Sequence, residues 1–106
     1  MNKQRRERID NRKALEQWGK MIRERDHYQC QICGSTEFLN AHHIIPKEDH
    51  EFRFNIMNGI CLCVRCHKFG RLSAHKNAFY FITWLKIKKP NQYYYLLEGF
   101  FKTKDI

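Results

Sequence analysis

Two short cysteine pairs, Cys30-Gln31-Ile32-Cys33 and Cys63-Val64-Arg65-Cys66, set the frame for whatever this chain folds into. Each pair puts two thiolates in one tight turn, where both can face a single ion. Two such pairs complete a closed tetrahedral site, the kind that holds zinc as a structural staple and leaves no position open for substrate. The separation between the pairs leaves room for a strand, a loop and a returning strand. Free thiols, disulfides and a redox dithiol are the competing readings, but no thioredoxin-like pattern surrounds either pair. Cys61, the odd cysteine, lies in an expected strand, which favours burial over ligation.

At 106 residues the chain has room for one domain. A domain of that size buries about two-thirds of its unfolded surface, so a metal staple usefully supplements a small core. Lys and Arg number 20 against 11 Asp and Glu, a formal charge of +9. Such an excess favours a polyanionic partner, because each neutralised phosphate releases condensed counterions; the competing reading is a lysine-rich solvated surface. No stretch approaches the roughly 20 apolar residues that span a bilayer, and no apolar segment follows the basic MNKQRRERIDNRK to make a secretory signal. The expectation is a cytoplasmic protein with no membrane partner, in a compartment where thiols stay reduced.

Periodicity divides the chain further. Ala14, Leu15, Trp18, Met21 and Ile22 fall on one helical stripe, which predicts an amphipathic helix ending near Asp26, preceded by a charged segment up to Arg12 that frays or contacts DNA. Arg5, Arg6, Arg8, Arg12, Lys13, Lys20, Arg23 and Arg25 surround that stripe, as a solvated face or as phosphate contacts. Phe38 to Ile45 reads as a short strand stopped by Pro46. Asn58-Gly59 reads as a turn, and Ile60 to Leu62 as the return strand. CVRCHKFG then begins a helix. Ser73 is the expected N-cap of a second helix through AFYFITWLKIKK, interrupted by Pro90. Tyr93, Leu96, Leu97, Phe100 and Phe101 predict a final helix, with Tyr93 to Tyr95 read as core rather than as base-stacking residues. The expected fold class is α+β in one domain: a basic N-terminal helix over 1–24, a zinc finger over 25–72 and a helical packing segment over 73–106.

A second polar set, His42, His43, Asn58 and His67, lies among the cysteines. Adjacent strand residues point to opposite faces, so His42 and His43 cannot serve one ion from the same side. That geometry suits a division of labour, with one imidazole on a metal and the other approaching a water. His75, in RLSAHKN, is either an additional ligand or phosphate contact or an ordinary helix-start residue. His27 and His50 have no such context and are read as structural or exposed.

AHHIIP followed by NGICLCVRCH resembles the HNH endonuclease signature, and RDHYQCQICG resembles the lead-in of its four-cysteine branch. The resemblance runs from about Arg25 to His67. It implies a ββα-metal, treble-clef-like finger that hydrolyses phosphodiester bonds in DNA with one structural zinc and one catalytic divalent ion. By that resemblance His43 is the general base, His42 and His67 are ligands of the catalytic ion, and Asn58 pins the loop between the strands. Relatives often carry an acid where His42 stands, and imidazoles in place of oxygens leave Mg2+, Mn2+, Ni2+ and Zn2+ all open as the catalytic ion. The alternative is a non-catalytic zinc-finger DNA-binding or adaptor protein, although such a module needs none of the three histidines. The small size leaves room for a homodimer or a protein partner supplying specificity. Homing, phage-type, restriction, repair and packaging roles all fit the sequence.

Overall fold

The computed structural model describes residues 1–105. Its first helix, α1, runs from Lys3 to Arg25, with the Asn2 side chain accepting a hydrogen bond from the Arg5 N–H at 2.8 Å. The helix therefore starts eleven residues before the apolar stripe begins at Ala14, and the charged segment expected to fray is its first three turns. A side-chain cap and a majority of Arg, Lys, Gln and Glu extend the helix although almost nothing packs against this stretch. Only from Ala14 onward does α1 meet the rest of the chain, burying Trp18, Gly19 and Ile22.

At its C-terminus α1 is latched to the centre of the molecule. The buried Asp26 carboxylate accepts the Cys61 N–H at 2.8 Å and pairs with Arg25 at 2.9 Å. Arg25 also donates to the carbonyls of Ile56 and Gly59, each at 2.7 Å. Two antiparallel strands follow, β1 (Leu39–His43) and β2 (Gly59–Cys63), with Ala41 opposite Cys61 and His43 opposite Gly59. The long connection between them ends in a 3-10 turn, Ile56–Asn58.

Every residue of β2 is buried because both faces of the hairpin are covered. On one face Cys61 packs with Trp18 and Ile22 of α1. On the other, Ile60 and Leu62 pack with Phe81 and Leu85 of α2 (Ala78–Lys88). Gly59 is required for the first contact, since a Cβ there would stand 2.5 Å from Trp18 Cζ2 and 2.6 Å from Ile22 Cδ1. The last helix, α3 (Pro90–Lys104), begins on Pro90 as a first-turn residue and buries Leu96. The fold is α+β, with helices flanking a two-stranded sheet.

Three local expectations change. The helix after Cys63 is a single π-helical turn, Arg65–Phe69, not the start of a long one. The N-cap of α2 is Asn77, whose side chain accepts from the Tyr80 N–H at 3.0 Å; Ser73 instead closes the preceding turn by donating to the Lys68 carbonyl. Asn and Ser are comparable caps, so cap preference alone could not separate them. Tyr94 and Tyr95 are 47% and 48% exposed and Phe101 is 45% exposed, so the buried seam of α3 is narrower than its aromatic content suggests.

Candidate metal centres and catalytic histidine

The hairpin and the turns flanking it bring the two cysteine pairs together. Gly34, at φ +80°, closes the first knuckle with its N–H on the Cys30 carbonyl at 2.8 Å, a conformation that an L side chain would strain. The Cys33 N–H points at the Cys30 sulfur at 3.5 Å. Sγ of Cys33 and Sγ of Cys63 lie 3.6 Å apart, far beyond a disulfide bond of about 2.05 Å. With Zn–S bonds of about 2.3 Å, a tetrahedral site has sulfur–sulfur edges of about 3.8 Å, so the spacing fits a shared ion. Cys30, Cys33, Cys63 and Cys66 each offer a sulfur within 4.8 Å of the others. Burial opposes ionisation of Cys30, but backbone N–H groups outweigh it and hold the thiol down to about 7. Burial and the neighbouring sulfurs push Cys66 the other way. Such a set cannot carry four thiolates side by side without a cation, and a structural metal such as zinc fits it. Cys61, fully buried, is turned to the α1 side of the sheet and takes no part.

Behind this knuckle lies a second cluster. His42, His67 and His75 also present ligand atoms within 4.8 Å of one another. His42 comes from β1, His67 from the π-helical turn and His75 from the turn before α2. The Nε2 atoms of His67 and His75 are 3.0 Å apart, and the buried His67 Nδ1 has no hydrogen-bond partner. Burial, reinforced by the neighbouring histidines, pushes His42 down to about 3 and His67 down to about 4. The His42 and His67 rings therefore stay neutral, and neutral imidazoles converging this closely are consistent with a cation held among them. His75 was separable from an ordinary helix-start residue only once the turn that carries it had been placed.

His43 points to the opposite face of β1. Its ring stacks on Trp18, with centroids 3.8 Å apart and planes 12° from parallel, above the space left by Gly59. Its Nε2 lies 3.0 Å from the Arg53 carbonyl oxygen. A carbonyl only accepts, so Nε2 carries the proton and Nδ1 keeps the lone pair. Burial lowers the His43 imidazole below its ordinary value, against the raising effect of that carbonyl. An open cleft of about 550 Å³ is lined by His42, His43, His67 and His75, with Lys47 and Lys68 adding positive charge.

The loop that supplies the Arg53 carbonyl is held by Asn58, which is completely buried. Its Oδ1 accepts the Ile45 N–H at 2.6 Å, and its Nδ2 donates to the carbonyls of Ile45 and Phe52 at 2.9 and 3.1 Å. One side chain thus ties the exit of β1 to the far end of the loop. Sequence reasoning missed two contributors to this arrangement. Trp18 read only as a core residue on a helical stripe, and the Arg53 main chain carries no side-chain signal at all. His27 and His50 are exposed and stand apart from both clusters.

Residues 30–69 match the family model for the HNH endonuclease. No curated protein and no solved structure matches the chain. The matched segment holds all four clustered cysteines together with His42, His43, Asn58 and His67. Over that segment the chain is therefore similar to the HNH endonuclease family, a similarity that suggests nuclease activity with a metal site.

Proposed function

We propose that this protein is a metal-dependent DNA endonuclease that hydrolyses phosphodiester bonds by a one-metal mechanism, with His43 as the general base. The observation that carries this reading is the hydrogen bond from His43 Nε2 to the Arg53 carbonyl. It fixes the tautomer and leaves Nδ1 as the proton acceptor, and His43 lines the cleft shared with the three clustered histidines. A lowered, neutral imidazole is a base at physiological pH and can take the proton of an attacking water.

His42, His67 and His75 would hold the catalytic divalent ion. When bound, that ion supplies charge stabilisation at the scissile phosphate and the leaving oxygen. Among the described residues, no carboxylate belongs to the cluster. Three imidazoles favour Zn2+ or Ni2+ over Mg2+ and Mn2+, which prefer oxygen ligands. Lys47 and Lys68 bring charge to bind the phosphate backbone. Cys30, Cys33, Cys63 and Cys66 hold a structural zinc that fixes the π-helical turn and, through it, His67. Asn58 keeps the Arg53 carbonyl in register with His43.

The test is incubation of the purified protein with supercoiled plasmid across Mg2+, Mn2+, Ni2+ and Zn2+, with a chelator control. Metal-dependent nicking or linearisation is expected. Tight DNA binding with no cleavage under any ion would instead make the chain a DNA-binding module that kept the fold and not the reaction.

A further inference from the structure

The first three turns of α1 lack a structural partner. Residues 3–13 are exposed apart from the half-buried Ile9. A helix that is polar all round and packs on nothing is under no structural demand from the core. This stretch carries Lys3, Arg5, Arg6, Arg8, Arg12 and Lys13 against Glu7 and Asp10.

These charges are not evenly distributed. At about 100° per residue, Arg5, Arg8 and Arg12 share one side of the helix with Gly19 and Arg23 further along, spaced by three, four and seven residues. That side of α1 meets the sheet: a Cβ on Gly19 would be 3.7 Å from Cβ of Ala41 in β1. A groove of about 390 Å³ runs between α1 and β1 there, lined by Glu16, Gly19, Arg23, Asn40, His43 and Lys47. His43 and Lys47 line both this groove and the cleft of the three histidines. Among the described residues, Glu16, four residues after Arg12, is the one acid lining the groove. Arg6, Lys13 and Lys20 form a separate row, spaced by sevens, on the side away from Trp18 and Ile22.

We propose that the Arg5–Arg8–Arg12 row is a phosphate track that guides the DNA backbone along α1 into the groove at His43, while the Arg6–Lys13–Lys20 row faces solvent. The inference rests on the endonuclease reading for its polyanion, and it adds the path of that polyanion over residues outside the matched family segment. At 1.5 Å per residue, Arg12 and Arg5 lie about 10 and 21 Å along α1 from Gly19. With about 3.4 Å per nucleotide step along a strand, the track reaches phosphates about three to six steps from the cleaved one. The DNA contact is thereby longer on one side of the cut than on the other.

The test compares two triple variants of the whole 106-residue chain that remove equal charge: Arg5→Gln with Arg8→Gln and Arg12→Gln, and Arg6→Gln with Lys13→Gln and Lys20→Gln. Gln has nearly the helix propensity of Arg and Lys, so α1 is kept, and circular dichroism checks it. Binding to a 30-base-pair duplex is measured as a function of salt. The track variant is expected to bind at least tenfold more weakly, with the slope of log affinity against log salt reduced by about 2.7, or 0.9 per lost phosphate contact. The solvent-row variant is expected to change either quantity far less. Equal effects of the two variants, or an unchanged slope for the track variant, would overturn the track while leaving the endonuclease reading in place. A wild-type protein that binds no DNA at any salt would overturn both.

Discussion

The indole of Trp18 lies flat against the imidazole of His43, and both rings hydrogen-bond to main-chain carbonyls two residues apart in one loop. Trp18 Nε1 donates to Asn55 at 2.9 Å, and His43 Nε2 donates to Arg53 at 3.0 Å. The stacked pair fixes the ring plane of His43 while the carbonyl fixes its tautomer. Trp18→Phe retains an aromatic face but loses one hydrogen bond and part of the buried ring, so it should cost more stability than the about 1 kcal/mol of the hydrogen bond alone. Trp18→Leu removes the stack as well. Because a misplaced base loses rate more than binding, Trp18→Leu should lower the single-turnover cleavage rate by a larger factor than Trp18→Phe, with DNA affinity little changed. Denaturant titration, DNA binding and single-turnover kinetics on the two variants check this. Equal cleavage rates in Trp18→Leu and the wild type would show that the stack does not position His43.

Removal of the sulfur site should unfold the finger. Cys63→Ser and Cys66→Ser are expected to lose the tightly held zinc, about one per chain in the wild type, together with cooperative unfolding and cleavage. Cys61→Ser should keep its zinc, because Cys61 faces Trp18 and Ile22 on the other side of the sheet. Its cost is that of burying a hydroxyl in an apolar cluster, about 1–3 kcal/mol. Metal analysis of the purified variants separates the two cases.

Asn58→Ala leaves the part-buried N–H and carbonyl of Ile45 and the buried carbonyl of Phe52 without their side-chain partner. Each buried backbone group so abandoned costs about 1–3 kcal/mol. The melting temperature should fall by at least about 4 °C, since 1 kcal/mol corresponds to about 4–8 °C in a domain of this size. Cleavage should fall even at temperatures where the variant is folded, because the same loop presents the carbonyl that orients His43. A folded Asn58→Ala protein with full activity would separate the loop from the base.

The parts of the structure legible in the sequence are those fixed by short-range chemistry. The two CxxC pairs announce a sulfur cluster because their spacing alone puts two thiols in one turn. The adjacent His42 and His43 announce a two-sided strand because strand side chains alternate. What stayed hidden depends on distant segments meeting. Trp18 and His43 are brought into contact by the absence of a side chain at Gly59. His75 joins His42 and His67 only because the π-helical turn is short and the following turn folds back. The free N-terminal turns of α1 show no apolar period, so a search for buried faces could not find the helix that a cap and favourable propensities extend.

The three clustered histidines should be separable from His43 by metal. His42→Ala, His67→Ala and His75→Ala each remove one of three donors, so each should weaken the catalytic ion while leaving the zinc of the cysteine site bound. Raising the concentration of Ni2+ or Zn2+ should restore part of the lost cleavage. A His75→Ala variant with the metal dependence of the wild type would remove His75 from the ligand set.

In the proposed reaction, His43 accepts the proton of the attacking water. The most direct measurement of this role is single-turnover nicking of supercoiled plasmid by wild type and His43→Ala across a range of divalent metal concentrations. Folding, zinc content and DNA binding are measured in parallel. Loss of a general base typically costs about a hundredfold to ten-thousandfold in rate, and no metal concentration replaces a missing proton acceptor. The predicted result is a His43→Ala protein that folds, holds zinc and binds DNA, yet nicks at least about a hundredfold more slowly at every metal concentration. Cleavage by His43→Ala at the wild-type rate, or its recovery on adding metal, would contradict the assignment.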